Sequence, residues 1–155
     1  MNKINNNFMS ADFSADPFSS MHRVQVETPK GSFLKKNELG DIDFISPIPS
    51  PFNYGSIVGV KGQDGDLMDA LILGRRLRAG TVVEMFVLGR VVFVDAGIQD
   101  DKWIFSRQKS IGRKDLLKMT YFFRGYALCK RWKGRILRSS CKSHFLGIDR
   151  ERFIF

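Results

Sequence analysis

Two acidic runs hold the residues best suited to chemistry: Asp64-Gly65-Asp66-Leu67-Met68-Asp69 and Asp95-Ala96-Gly97-Ile98-Gln99-Asp100-Asp101-Lys102. Each abuts an apolar stretch, the first just before Ala70-Leu71-Ile72-Leu73 and the second just after Val91-Val92-Phe93-Val94. Carboxylates that bound neighbouring strands of a small barrel can converge at its mouth. Packed together, they repel one another unless a cation neutralises them. An all-oxygen set suits a hard divalent ion, Mg2+ above all, which completes its shell with waters, carboxylates and phosphates. The competing reading is a pair of turns, since Asp-Gly is a common turn dipeptide. It explains any single Asp more readily than the five Asp64, Asp66, Asp69, Asp95 and Asp100 together in two matched runs. An EF-hand is excluded, because its ligand alternation and distal Glu are missing. His22 and His144 have no matching ligands, and Cys129 and Cys141 lack Cys-x-x-Cys spacing, so a zinc site is not expected.

The elements that must position these residues are mainly β. Arg23-Val24-Gln25-Val26-Glu27-Thr28 alternates polar and apolar as a half-buried strand does, and Pro29 and Gly31 end it. Residues 35 to 53 carry Gly40, Pro47, Pro49 and Pro51 and read as loop with at most a short strand. Strands are predicted again over 56–60, 70–73 and 81–94, and Gly89 predicts a bulge or bend that splits the last in two. Lys102-Trp103-Ile104-Phe105 is placed to close the sheet. Five or six short strands with Gly and Pro turns predict a small closed barrel. After Gly112 the period changes: Leu116, Met119, Phe123 and Ala127 recur every three or four residues, predicting an amphipathic helix packed on the barrel. This divides the chain into a tail or strap (1–22), a barrel with its helix (23–133) and a basic C-terminal segment (134–155).

At 155 residues the chain is about one domain. With 43% hydrophobic and 26% charged residues it has a globular, not a disordered, composition. The start lacks the apolar stretch of a secretory signal, and no apolar run approaches the roughly 18 residues of a membrane helix. Two cysteines are too few for a disulfide framework, and a reduced thiol pair goes with a cytoplasmic protein. The net charge of +9 is unevenly spread. Residues 1–104 hold 11 Lys/Arg against 13 Asp/Glu, and residues 105–155 hold 14 against 3. Such a basic third can serve a polyanion or turn a few side chains toward a phosphate.

The order of motifs resembles the family I soluble inorganic pyrophosphatases over residues 23 to 130. The resemblance runs through Val26-Glu27-Thr28-Pro29-Lys30-Gly31-Ser32, Pro51-Phe52-Asn53-Tyr54-Gly55, the Asp-Gly-Asp-x-x-Asp run, Ala79-Gly80-Thr81-Val82-Val83 and Asp95 to Lys102, and more faintly Phe122-Phe123-Arg124-Gly125-Tyr126. It implies a five-stranded, OB-like closed barrel with flanking helix. It also implies Mg2+-dependent hydrolysis of pyrophosphate to two phosphates by a water bridging two metals. Asp64, Asp69 and Asp100 would hold the first Mg2+, and Asp69 would touch the second. Asp66 would accept the proton of the bridging water. Asp95 and Asp100 would bind a metal arriving with the substrate, and Glu27 would reach another through water. Lys35, Tyr54, Lys102 and Tyr126 would contact phosphate oxygens. A homo-oligomer, hexamer or dimer, is likewise implied.

The chain departs from the pattern in its phosphate pocket. Asn37 stands for a Glu (with Glu38 one residue on), Ile42 for an Arg, Ser50 for a Tyr, Ala96 for a Glu and Ala127 for a Lys. Arg75, Arg76, Arg78 and Arg124 are the cations available to replace those lost. Three readings follow: a pyrophosphatase, an enzyme shifted to another phosphoryl compound, or a degenerate barrel binding nucleic acid or polyphosphate. The last draws on the basic third and on Trp103 and Trp132.

Overall fold

The computed structural model describes residues 13, 16–36, 39, 41–46, 48–62, 64–138 and 142–149. Nine strands and one helix are defined among them: β1 (Met21–Thr28), β2 (Leu34–Lys36), β3 (Ile42–Ile45), β4 (Asn53–Lys61), β5 (Leu67–Ile72), β6 (Val82–Asp95), β7 (Ile98–Gln99), β8 (Lys102–Ser106), α1 (Arg113–Ile136) and β9 (His144–Asp149). Strands β1-β4-β5-β8-β6 follow one another in the sheet, and β6 pairs back with β1, so five strands close a barrel. Every neighbouring pair is antiparallel except β5 and β8. The predicted barrel with one flanking helix is therefore the observed architecture.

Alternation along the strands sorts side chains to two cores. Val24 and Val26 of β1, Ile57 of β4, Ala70 and Ile72 of β5, and Trp103 and Phe105 of β8 fill the barrel. Residues of opposite parity, Tyr54, Leu71, Ile104, Val91 and Phe93, cover its outer wall, where Met119, Phe123 and Ala127 of α1 pack on them. Those helical positions are four apart and present one face. Asp115 in the first turn and Lys133 and Arg135 in the last complement the helix dipole.

Three sequence expectations are modified. Gly89 does sit at a bulge, where the β6–β8 register shifts between Val87 and Gly89, yet β6 runs unbroken through 14 residues. A bulge bends a strand without ending its ladder. The loop-rich 35–53 stretch contains two short strands, β2 and β3, paired as a separate hairpin. The basic end supplies β9, antiparallel to β6 from Arg90↔Asp149 to Val94↔His144. Upstream, Phe13 is 1% exposed inside the barrel, edge-on to Trp103 at 4.9 Å.

Candidate active site

The site begins with a buried asparagine. Asn53 is fully buried, and its Oδ1 accepts from the Lys30 N–H (3.0 Å) and the Leu77 N–H (2.8 Å). Its Nδ2 donates to the Arg75 carbonyl at 2.8 Å and the Ile72 carbonyl at 3.3 Å. One side chain thus ties the loop after β1 to the connection leaving β5, satisfying all the amide's polar atoms in the interior. At Gly55, a Cβ would stand 1.8 Å from the Gln25 carbonyl oxygen, so only glycine lets β1 pass this close. Between these two anchors Tyr54 is held on the outer wall.

Asp69 shares that wall, because it has the parity of Leu71, and Lys102 has the parity of Ile104. Strands β5 and β8 are neighbours, and the Lys102 Nζ donates to Asp69 Oδ2 at 2.6 Å. The same ammonium reaches Asp100 Oδ1 at 2.5 Å, although Lys102 is only 2% exposed. The Tyr54 hydroxyl donates to Asp69 Oδ2 as well. Burial works against the charge of Asp69, but the Lys102 and Lys35 charges and two donated hydrogen bonds outweigh it and hold its pKa below the ordinary carboxylate value. Burial likewise opposes the Lys102 ammonium, and Asp69 and Asp100 overcome it, raising the pKa above that of a free lysine. For Tyr54, burial and then the charges of Asp69 and Asp100 push the phenol well above its usual pKa, so it stays a donor.

Lys35 from β2 lies over the Tyr54 ring, its Nζ 4.7 Å from the centroid. Lys35, Tyr54, Lys102 and Tyr126 line one cavity, with Thr28 and Ser50 between them and Phe122 on the helix side. The four residues that the sequence associates with phosphate, drawn from three strands and the helix, thus share one space. Arg75, Arg76, Arg78 and Arg124 are not among the residues lining it.

The acidic residues named from the sequence occupy four separate positions. Asp64 and Asp66 are exposed in the β4–β5 turn, where Asp64 Oδ1 accepts the Asp66 N–H at 3.1 Å and Gly65 takes φ +90°. Asp69 and Asp100 meet on Lys102. Asp95, with the outward parity of Phe93, has both oxygens engaged: Oδ2 by Lys130 Nζ at 2.5 Å and Oδ1 by Ser143 Oγ at 2.7 Å. Burial disfavours its charge, but the hydrogen bonds from Lys130 and Ser143, with the Lys130 and Lys102 charges, depress its pKa. Glu27 is half-buried on β1 with Oε1 shielded from solvent. Among the described residues no three such side chains are grouped closely enough to hold one ion. The expected convergence at the barrel mouth is replaced by an arrangement on the outer wall, beneath the helix. The physical reason is the repulsion anticipated from the sequence: Asp69, Asp100 and Asp95 take lysine ammoniums as partners, while Asp64 and Asp66 stay in the exposed turn. Oxygen-only donors at Asp69 and Asp100, each giving one oxygen to Lys102, fit a hard divalent ion in kind. At Asp95 each oxygen already accepts a protein hydrogen bond, so an ion there would compete with the Lys130 ammonium.

Lys130 and Ser143 were not apparent from the sequence, being 35 and 48 residues from Asp95. The available signal for Lys130 was its i+4 spacing from Tyr126 on a helix; its Nζ lies 5.4 Å from that ring's centroid. Of the departures, Ala127 is buried against the barrel at 3% exposure, Ile42 is exposed, and Ala96 takes φ +51° in the β6–β7 turn. Asn37 and Glu38 lie outside the described residues. Trp103 is 9% exposed inside the barrel and offers no stacking face, whereas Trp132 is exposed on α1.

A closed five-stranded barrel with a helix on its outer wall is a fold also seen among solved structures. The chain superposes on the inorganic pyrophosphatase of Thermus thermophilus with a TM-score of 0.69 (21% identity, 85% of this chain and 83% of that one). The Helicobacter pylori inorganic pyrophosphatase gives 0.68 (21% identity, 97% and 91%). The family model described as inorganic pyrophosphatase matches residues 20–133, more than half of the chain, and the chain belongs to that family. It is 33% identical to the Haemophilus influenzae inorganic pyrophosphatase over 89 residues, covering 56% of this chain and 47% of that protein. For the Saccharolobus solfataricus inorganic pyrophosphatase the figures are 35% over 89 residues, covering 52% of each. The matches thus span about half the length of these relatives.

Proposed function

We propose that the chain is a divalent-metal-dependent inorganic diphosphatase, cleaving pyrophosphate to two phosphates. The observation that carries this reading is the shared cavity of Lys35, Tyr54, Lys102 and Tyr126, bordered by the Asp69–Lys102–Asp100 chain. Pyrophosphate is a multiply charged anion, and its cleavage is limited by charge on the phosphoryl oxygens and on the leaving phosphate. Lys35 and Lys102 bind those oxygens electrostatically. Because Lys102 is buried, its charge is poorly screened and fixed before substrate arrives. The Tyr126 hydroxyl orients the anion as a hydrogen-bond donor, and the Tyr54 hydroxyl, whose one proton goes to Asp69, would have to turn from that carboxylate to do the same. Asp66, exposed at the turn, takes the proton of the attacking water. A hard divalent ion, Mg2+ first, would be held by Asp69 and Asp100, and it would supply acidification of water and neutralisation of phosphate charge; the resemblance adds Asp64 and, through water, Glu27, which are not grouped with that pair among the described residues. Among the described residues no helix is long and apolar enough to cross a membrane, and the cytoplasm is the compartment we assign. Self-association is part of the same reading and is checked by light scattering. The purified chain should release phosphate from pyrophosphate with Mg2+, and Asp66→Asn should abolish release. No turnover with Mg2+, Mn2+, Co2+ or Zn2+ would rule the reading out.

A second reading has its own observation. Helix α1 carries eight Lys/Arg against one Asp, with Tyr121 70% and Trp132 65% exposed. Cations interleaved with exposed aromatics suit a single-stranded polyanion. Binding of an oligonucleotide that weakens steeply between two salt concentrations would favour it.

A further inference from the structure

We propose that Lys130 stands in for a divalent cation at Asp95, so that this chain loads one metal ion fewer than its carboxylates would otherwise take. The inference rests on the diphosphatase reading for the site's purpose, but not for its own test. A carboxylate attracts a metal through its negative charge and its oxygen lone pairs; at Asp95 each oxygen already accepts one protein hydrogen bond, and the Lys130 ammonium sits where a cation would neutralise the charge. Three elements make that clamp. β6 supplies Asp95, α1 supplies Lys130, and the segment before β9 supplies Ser143, which is 2% exposed. The segment is itself fastened to the β6–β7 turn, where the Gly97 N–H donates to the Lys142 carbonyl at 3.0 Å.

Lys130 is not a loose surface side chain resting on an acid. Its ammonium also sits beside the Tyr126 ring, and only a quarter of its side chain is exposed. Its ammonium is held against the Asp95 carboxylate by a charge-assisted hydrogen bond at 2.5 Å. The neighbouring Ala127 is buried against the barrel, leaving Lys130, one turn on, as the helix's cation at this corner. A divalent ion at Asp95 would have to displace a tethered ammonium already present at high effective concentration. Ser143 also lies beyond residues 20–133, the part of the chain that the family model matches, so the clamp includes a piece of structure outside the matched region. Lys130 is thus a positioning residue: it holds Asp95 in place and contributes positive charge next to Tyr126 without exchange.

The test is to titrate Mn2+ into the full chain, by calorimetry and by electron paramagnetic resonance of free Mn2+, with and without imidodiphosphate. Wild type and Asp95→Asn should bind the same number of ions. Lys130→Gln should bind one more per chain, or bind its weakest ion about tenfold tighter, a factor worth about 1.4 kcal/mol. Lys130→Arg should restore the wild-type count, because it returns a cation to the same place. Equal counts and affinities in Lys130→Gln and wild type would overturn the proposal. So would an ion that wild type binds and Asp95→Asn loses. That last comparison stands even if Lys130→Gln fails to fold. Absence of pyrophosphate turnover in wild type would sink the diphosphatase reading and leave these counts fully interpretable.

Discussion

Two acidic corners of the same barrel wall hold lysines in opposite ways. At the first, Lys102 is built into β8, almost wholly buried, and two carboxylates each give it one oxygen. At the second, the carboxylate of Asp95 gives both oxygens away, and the lysine arrives from the partly exposed helix. In the first corner the lysine is the fixed element and its acids retain donor capacity. In the second each oxygen of the acid already carries a protein donor, one of them a cation. The difference separates a corner suited to gathering a metal and phosphates from one that carries its own cation.

The largest expected effect comes from removing the fixed lysine. Lys102→Met leaves Asp69 and Asp100 facing each other with Asp69 largely buried, and in chelator the urea-unfolding free energy should fall by about 3 kcal/mol. Tyr54→Phe keeps the ring under Lys35 and removes a donor to the Asp69 carboxylate; about 2 kcal/mol should be lost in the same assay. An equal melt for Tyr54→Phe and wild type would mean that Asp69 does not depend on that hydroxyl.

Acid distinguishes the corners next. Asp69 and Asp95 both have pKa values depressed in the fold, so their stabilisation is full above the unfolded carboxylate pKa of about 3.9 and is lost as pH falls through the folded values. Asp69→Asn should flatten the acid limb of the stability curve more than Asp95→Asn, because the Lys102 partner of Asp69 is almost wholly buried whereas the Lys130 partner of Asp95 is a quarter exposed and better screened. At high pH, the raised pKa values of Lys102 and Tyr54 predict stability lost as pH climbs beyond the unfolded values near 10. Lys130→Gln, at the more exposed corner, should cost under about 1 kcal/mol. Asp64→Ala should change stability by about 0.5 kcal/mol or less, since Asp64 is exposed, while phosphate release collapses. A folded Asp64→Ala with full turnover would remove Asp64 from the metal set.

Much of this architecture was legible where one periodicity dominates. The alternation Val24, Val26, Thr28 marks β1, and Met119, Phe123 and Ala127 mark the helix face, because burial on one side imposes those spacings. Strand β9 was not legible: Phe145-Leu146-Gly147-Ile148 mixes apolar residues on both faces, and its register shifts opposite Val92 and Phe93. Phe13 gave no sign of its burial from an Asn/Ser/Asp-rich neighbourhood. Within the site, residues fixed by short motifs could be named from sequence, as with Tyr54 between Asn53 and Gly55. The Lys130–Asp95–Ser143 contact joins three distant segments and depends on how β9 and α1 dock on β6, which no local pattern encodes.

The most direct measurement is phosphate release from pyrophosphate by the full chain as Mg2+ is raised from zero. We predict no release without the ion, saturable release with it, and loss of that release in Asp69→Asn while the variant still melts cooperatively. Wild-type chain that stays silent at every Mg2+ concentration, or that turns over equally well in chelator, would contradict a metal-gathering corner at Asp69 and Asp100.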